Sequence, residues 1–142
     1  MLVFTLKMTL PIDKKIQINP KTNPESVVEH TVVSICEELQ IGEEKFGNIL
    51  LAVTEAVDNA ILHGNKNNPD KNVQLSYRTS KEQITFSVTD EGMGFDLSNI
   101  TDPTKPENPE NAGRGILIMK MLSDKLEFKN EEKTVLLSFN LN

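Results

Sequence analysis

Tryptophan is absent from this chain, cysteine occurs once, and no apolar run approaches the length of a membrane span. Each shortage removes a class of answer. With Cys36 as the only thiol, no disulfide can close within the chain and no cysteine-based zinc site can form. Its place on the apolar stripe of a predicted helix marks it as a core thiol rather than a nucleophile. A membrane helix needs about 20 consecutive apolar residues, so no membrane association is expected. Basic residues are the minority, 15 Lys and Arg against 21 Asp and Glu, with no long basic run. Phosphate backbones are gripped chiefly by clustered Lys and Arg, which argues against direct nucleic-acid binding. The opening "MLVFTLKMTLPIDKK" has neither a basic n-region before it nor a small-residue cleavage site, so it reads as a strand and not a signal peptide. The expected location is the cytoplasm.

What is present suits one domain spanning residues 1–142, large enough for a real hydrophobic core. No internal repeat or linker divides it. "LVFTLKMTL" and "KKIQI" alternate as strands do. "TNPESVVEHTVVSICEEL" predicts a helix with Asn23 as N-cap, Pro24 at its first position and a core stripe of Val28, Val32, Ile35 and Leu39. Gly42 should break it. A second helix is predicted from Glu43 to about Leu62. Phe46, Ile49, Leu50, Val53, Ala56, Val57, Ala60 and Ile61 give it a wide apolar face. Gly64 is its expected C′ residue, and "NKNNPDKN" the turn that follows. The strands "VQLSYRT" and "QITFSVTD" come next. Then "RGILIMKMLSD" reads as helix, and "KLEFK" and "KTVLLSFNL" as closing strands. Helices first and a sheet afterwards predict an α+β two-layer sandwich, a mixed and mostly antiparallel sheet with helices on one face. Between the strand "QITFSVTD" and the third helix lies "EGMGFDLSNITDPTKPENPENAG", whose length is uncommon for a loop inside a compact domain and is usually functional or disordered. Glycines at both ends favour a lid, at about residues 95–114.

Four features carry chemistry. Glu55 and Asn59 stand four residues apart, on one side of a helix. A carboxamide oxygen suits magnesium, which takes hard oxygen ligands beside substrate phosphates. A carboxylate one turn away can accept a proton from an attacking hydroxyl or water. Asp90 shares the apolar face of Ile84, Phe86 and Val88 by the period-2 rule, so it needs a hydrogen-bond donor. Asp-Glu-Gly is good turn chemistry, and that is the simpler explanation; the sharper one is contact with a buried ligand such as an adenine amino group. Gly92 and Gly94 follow at once, where backbone can approach closely. Gly113, Arg114 and Gly115 precede "ILIMKML", with Gly115 at the expected helix entrance, where exposed amides favour phosphate. Arg114 either reaches the terminal phosphate or points into water.

In this order the motifs resemble those of the GHKL (Bergerat-fold) ATPase superfamily, which includes gyrase, histidine kinases and the mismatch-repair ATPases. "EAVDNA" looks like its N box, "DEGMGF" its first glycine box and "GRGILIMKML" its second. The chain most closely resembles the stand-alone bacterial anti-sigma factor serine kinases, whose N box also tends to run on into "HG" and whose "DPT…PEN…GRG" lid looks similar. The likeness covers roughly Ile16 to Leu141. It implies ATP and magnesium as ligands, Asn59 at the metal, Glu55 as catalytic base and Asp90 on adenine. It also implies that Gly92, Gly94, Gly113 and Gly115 shape the lid and phosphate site. The same resemblance implies a homodimer, a sigma factor and an anti-sigma factor antagonist as partners, and phosphorylation of the antagonist on Ser or Thr. His63 matches the pattern without a chemical role beyond capping or packing, and the extra strand Met1 to Leu10 has no counterpart. A phosphoacceptor helix, a transducer domain and a GxxxxGK[ST] loop are all missing. A second reading stays open: an ATP-gated module that sequesters a protein partner without phosphoryl transfer.

Overall fold

The computed structural model describes residues 11–92 and 112–141. The expected strand at Met1 to Leu10 and Gly94 lie outside the described residues. Five strands, β1 (Asp13–Ile18), β2 (Val73–Thr79), β3 (Gln83–Asp90), β4 (Lys125–Lys129) and β5 (Thr134–Asn140), form one sheet in the order β1-β2-β3-β5-β4. Every neighbouring pair is antiparallel. With α1 (Pro24–Glu38), α2 (Glu43–Asn59) and α3 (Ala112–Leu122), this is the expected α+β architecture.

Alternation decides which face of the sheet is covered. Val73, Leu75 and Tyr77 of β2, Ile84, Phe86 and Val88 of β3, and Val135, Leu137 and Phe139 of β5 are buried against Val28, Val32, Ile49, Val53 and Met119 of the helices. Register places Tyr77 opposite Phe86 and Ile84 opposite Phe139. The Phe86 ring meets Tyr77 at 5.7 Å and Phe139 at 6.1 Å between centroids, both tilted rather than stacked face to face, as the ring quadrupole prefers. The opposite face carries hydroxyls, paired across β3 and β5 as Thr85 with Ser138 at 2.9 Å and Thr89 with Thr134 at 2.7 Å.

Local signals set the helix ends. Asn23 caps α1 by accepting the Ser26 N–H through its side chain, and Pro24 opens the helix. Cys36 is buried in the α1 stripe, and burial pushes its thiol up to about 11, which keeps it protonated and unreactive. The helix ends at Glu38 with Leu39 as C-cap, Gln40 follows with a left-handed φ of 56°, and Gly42 serves as N-cap of α2 instead of breaking α1.

The end of α2 departs from expectation. The α-helix stops at Asn59, and Ala60–Gly64 form a π-helical turn, closed by Asn65 donating its N–H to the Ala60 carbonyl at 2.8 Å. Such turns recur inside helices at functional sites. Gly64, expected as a C′ cap, lies within the turn and is buried.

Candidate functional site

Glu55 and Asn59 project from the last two turns of α2. Asn59 is 6% exposed, and its Nδ2 has no hydrogen-bond partner among the described residues. Leaving a buried donor unsatisfied costs about 1–3 kcal/mol, so this side chain is held for something other than the core.

α3 lies against this pair. A Cβ on Gly115 would stand 2.9 Å from both Asn59 Nδ2 and Glu55 Oε1, well inside the usual separation of about 3.5–4.0 Å. Glycine is what permits the contact. The helix begins at Ala112, so Gly115 sits in its first turn and not at its entrance, and residues 112–114 are helical rather than part of the expected lid. Two glycines are poor helix formers, but packing on α2 overrides that preference. Gly113 and Arg114 therefore stand among the opening positions, whose amides lack intrahelical acceptors. Arg114 is exposed. The remainder of the expected lid lies outside the described residues.

Asp90 shows the turn chemistry of the simpler reading. It ends β3 facing inward, 7% exposed. Its N–H donates to the Lys133 carbonyl at 3.0 Å, and its Oδ1 accepts the Gly92 N–H at 2.8 Å, which is turn chemistry. Gly64 and Gly92 let two backbone segments converge here. A Cβ on Gly64 would fall on the Asp90 carboxylate, and one on Gly92 would fall on the Gly64 carbonyl. The π-turn of α2 is thus pressed onto the end of β3, and Asp90 and Asn59 line one cavity with Val88, Met119, Phe128 and Thr134. The cavity measures about 20 Å³, room for one water; a purine enters only if its walls part. A larger groove, about 830 Å³, lies on the hydroxyl face of the sheet along Ser76, Arg78, Thr85 and Ser87, and touches none of the residues above.

Asp58 is the electrostatic outlier of α2. The residue is exposed, yet partial burial of the carboxyl raises its pKa from 3.8 to about 6, with the charges of Glu55 and then Glu25 adding to the effect. A carboxyl with a raised folded-state pKa favours the fold below the unfolded value, and that advantage is lost as pH rises through about 6. Asp58→Asn should therefore raise the melting temperature at neutral pH and narrow its margin over wild type as pH falls through about 6. Paired thermal melts across that window, with a margin independent of pH, would remove Asp58 from the balance.

The sequence brought Glu55, Asn59, Asp90, Gly92 and Gly115 forward, and all five meet around the C-terminal end of α2. It missed Met119, Phe128 and Thr134, whose apolar or hydroxyl side chains read as ordinary core or strand residues, and Asn65, hidden in a turn-like polar run. No group of three or more His, Cys, Asp and Glu among the described residues is arranged to hold a metal. No helix among them is long and apolar enough to cross a membrane.

Comparison with known proteins matches residues 20–139 to the histidine kinase-like ATPase domain. The anti-sigma F factor of Bacillus cytotoxicus is 32% identical over 124 residues, covering 84% of each chain. That of Clostridium beijerinckii is 28% identical over 125 residues, covering 84% of this chain and 87% of the relative. With a match over most of its length, the chain belongs to the histidine kinase-like ATPase domain family.

Proposed function

We propose that the chain is an ATP-binding anti-sigma factor that phosphorylates its antagonist protein on Ser or Thr. The observation that carries this reading is the buried Asn59 carboxamide, short of a partner, lining one cavity with Asp90 while Gly115 brings the start of α3 against it and Glu55. The names of the relatives, anti-sigma F factor, support the choice of partner class.

Magnesium fits this donor set. A hard cation that keeps several waters and takes substrate phosphates as ligands needs one or two protein oxygens, not a cage, in keeping with the lack of a His, Cys, Asp and Glu cluster among the described residues. Asn59 would hold it through Oδ1, and the ion would supply positive charge beside the phosphates. Asp90 would accept a hydrogen bond from the adenine amino group. Gly113, Arg114 and Gly115 would face the phosphates from the opening turn of α3, with Gly92 and Gly94 shaping the other rim. Glu55 would take the proton of the attacking hydroxyl as the new oxygen–phosphorus bond forms and the bond to the departing ADP breaks. Catalysis of this kind is mostly positioning and charge stabilisation.

The direct test is incubation with ATP labelled at its γ-phosphate and candidate antagonists. Label on an antagonist Ser or Thr supports the kinase; tight ATP binding without transfer would instead make the protein an ATP-gated module that sequesters its partner. Asp90→Asn tests the base contact, because the amide can turn an NH2 toward the adenine donor. Its affinity for ATP should fall about tenfold or more, read by calorimetry; equal affinity would return Asp90 to turn chemistry. A homodimer, a cytoplasmic location and a single domain over residues 1–142 complete the proposal.

A further inference from the structure

Asn65 is a buried polar residue that the chemistry proposed above does not use. It is 3% exposed. Its Oδ1 accepts the Glu91 N–H at 2.7 Å, and its Nδ2 donates to the Asn72 carbonyl at 3.0 Å. Glu91 completes the circuit, its Oε2 accepting the Asn72 N–H at 3.0 Å. These three bonds tie the end of the π-turn, the residue before β2 and the residue after Asp90 into one clasp. The backbone is bent to deliver the side chain there. The Asn65 N–H closes the π-turn on Ala60, and Lys66 and Asn67 follow with φ of 54° and 59°. Lysine adopts that left-handed conformation only where its surroundings hold it.

We propose that Asn65 is a positioning residue for base selection: by fixing Glu91 it holds Asp90 at a set place relative to Asn59 and so sets the preference for adenine over guanine. The inference rests on the ATP-site reading above. Adenine presents an amino donor where guanine presents the O6 acceptor, so a carboxylate held in place attracts one base and repels the other. A polar site discriminates strongly only while its groups cannot move to accommodate the wrong partner. The Asp90 N–H donates to the Lys133 carbonyl, and the Asp90 carboxylate accepts the Gly92 N–H. The first runs to the residue before β5, the second onward along the same turn. Asn65 adds a side-chain bond from that turn to the α2 side, where Asn59 stands.

The test compares affinities for magnesium-ATP, magnesium-GTP and magnesium tripolyphosphate by competition against a fluorescent nucleotide, in wild type and Asn65→Ala. The expected result is a fall of about tenfold in the preference for ATP over GTP, with tripolyphosphate competing as well as before. An unchanged preference in the folded variant would overturn the inference, and so would equal weakening toward all three ligands, which a purely structural role predicts. If the alanine variant does not fold, Asn65→Ser, too short to reach the Glu91 N–H, carries the same expectation. In wild type, the Glu91 amide should exchange with deuterium more slowly in the presence of ATP than of GTP; equal protection counts against the clasp. A wild-type protein with no preference between the nucleotides would overturn the adenine reading itself, and that outcome is distinct from a variant that merely keeps the wild-type preference.

Discussion

Gly92→Ala is expected to be among the most damaging single substitutions in the chain, lowering stability by about 3 kcal/mol or more and the melting temperature by about 10 °C. The added methyl would land on the Gly64 carbonyl and come within 3.1 Å of Asn65 Cα. Neither neighbour is the end of a flexible side chain that can swing away; both are backbone, in a π-turn already held by the Asn65-to-Ala60 bond. Relief requires α2 and β3 to separate, which would break the Glu91-to-Asn65 bond that joins them. A thermal melt decides the matter. A variant within about 1 kcal/mol of wild type would mean that the convergence of these segments is looser than the distances say.

Glu55→Gln is expected to act in the opposite way, leaving the fold and magnesium-ATP binding intact while reducing phosphoryl transfer to the antagonist by about 10²–10⁴-fold. Glutamine has the same shape, so the Gly115 contact with α2 persists, but it cannot accept the hydroxyl proton. The exchange also removes one of the charges that raise the Asp58 carboxyl. Stability at neutral pH should not fall, and a lost rate cannot then be ascribed to unfolding. Single-turnover transfer measured beside nucleotide affinity separates the two effects. Undiminished transfer would remove Glu55 from the mechanism.

The parts that were legible in the sequence are those in which local pattern and tertiary environment agree. β2 and β3 alternate along their whole length because one face of each is buried and the other is not, and their limits, Val73–Thr79 and Gln83–Asp90, coincide with the predicted runs. Glu55 and Asn59 were legible because a four-residue spacing on an amphipathic helix has a definite geometric meaning. The π-turn was not legible. "AILHG" continues the helical pattern, and only contact with β3 widens it, through atoms 26 or more residues away in sequence, such as Gly64 against Asp90. The start of α3 was misplaced for a related reason: "AGRG" has low intrinsic helicity, and its helix is stabilised by packing of Gly115 on α2, which no local window contains. Asn65 was hidden because a polar residue among Asn, Lys and Pro reads as surface, whereas its burial comes from Asn72 and Glu91 closing around it.

The π-turn also changes what kind of alteration the site can survive. From Asn59 to Asn65 the chain must supply one residue more than an α-helical path would need to bring Gly64 against β3. Removing a single residue there would let the helix run on regularly and turn everything after it by about 100°, carrying Gly64 and Asn65 off their partners even if every remaining side chain were kept. The distance between the two ends of the pocket is therefore encoded as a count of residues rather than as an identity at any position. Relatives in which that count differs would need a different way of closing α2 onto β3, however well their motifs align.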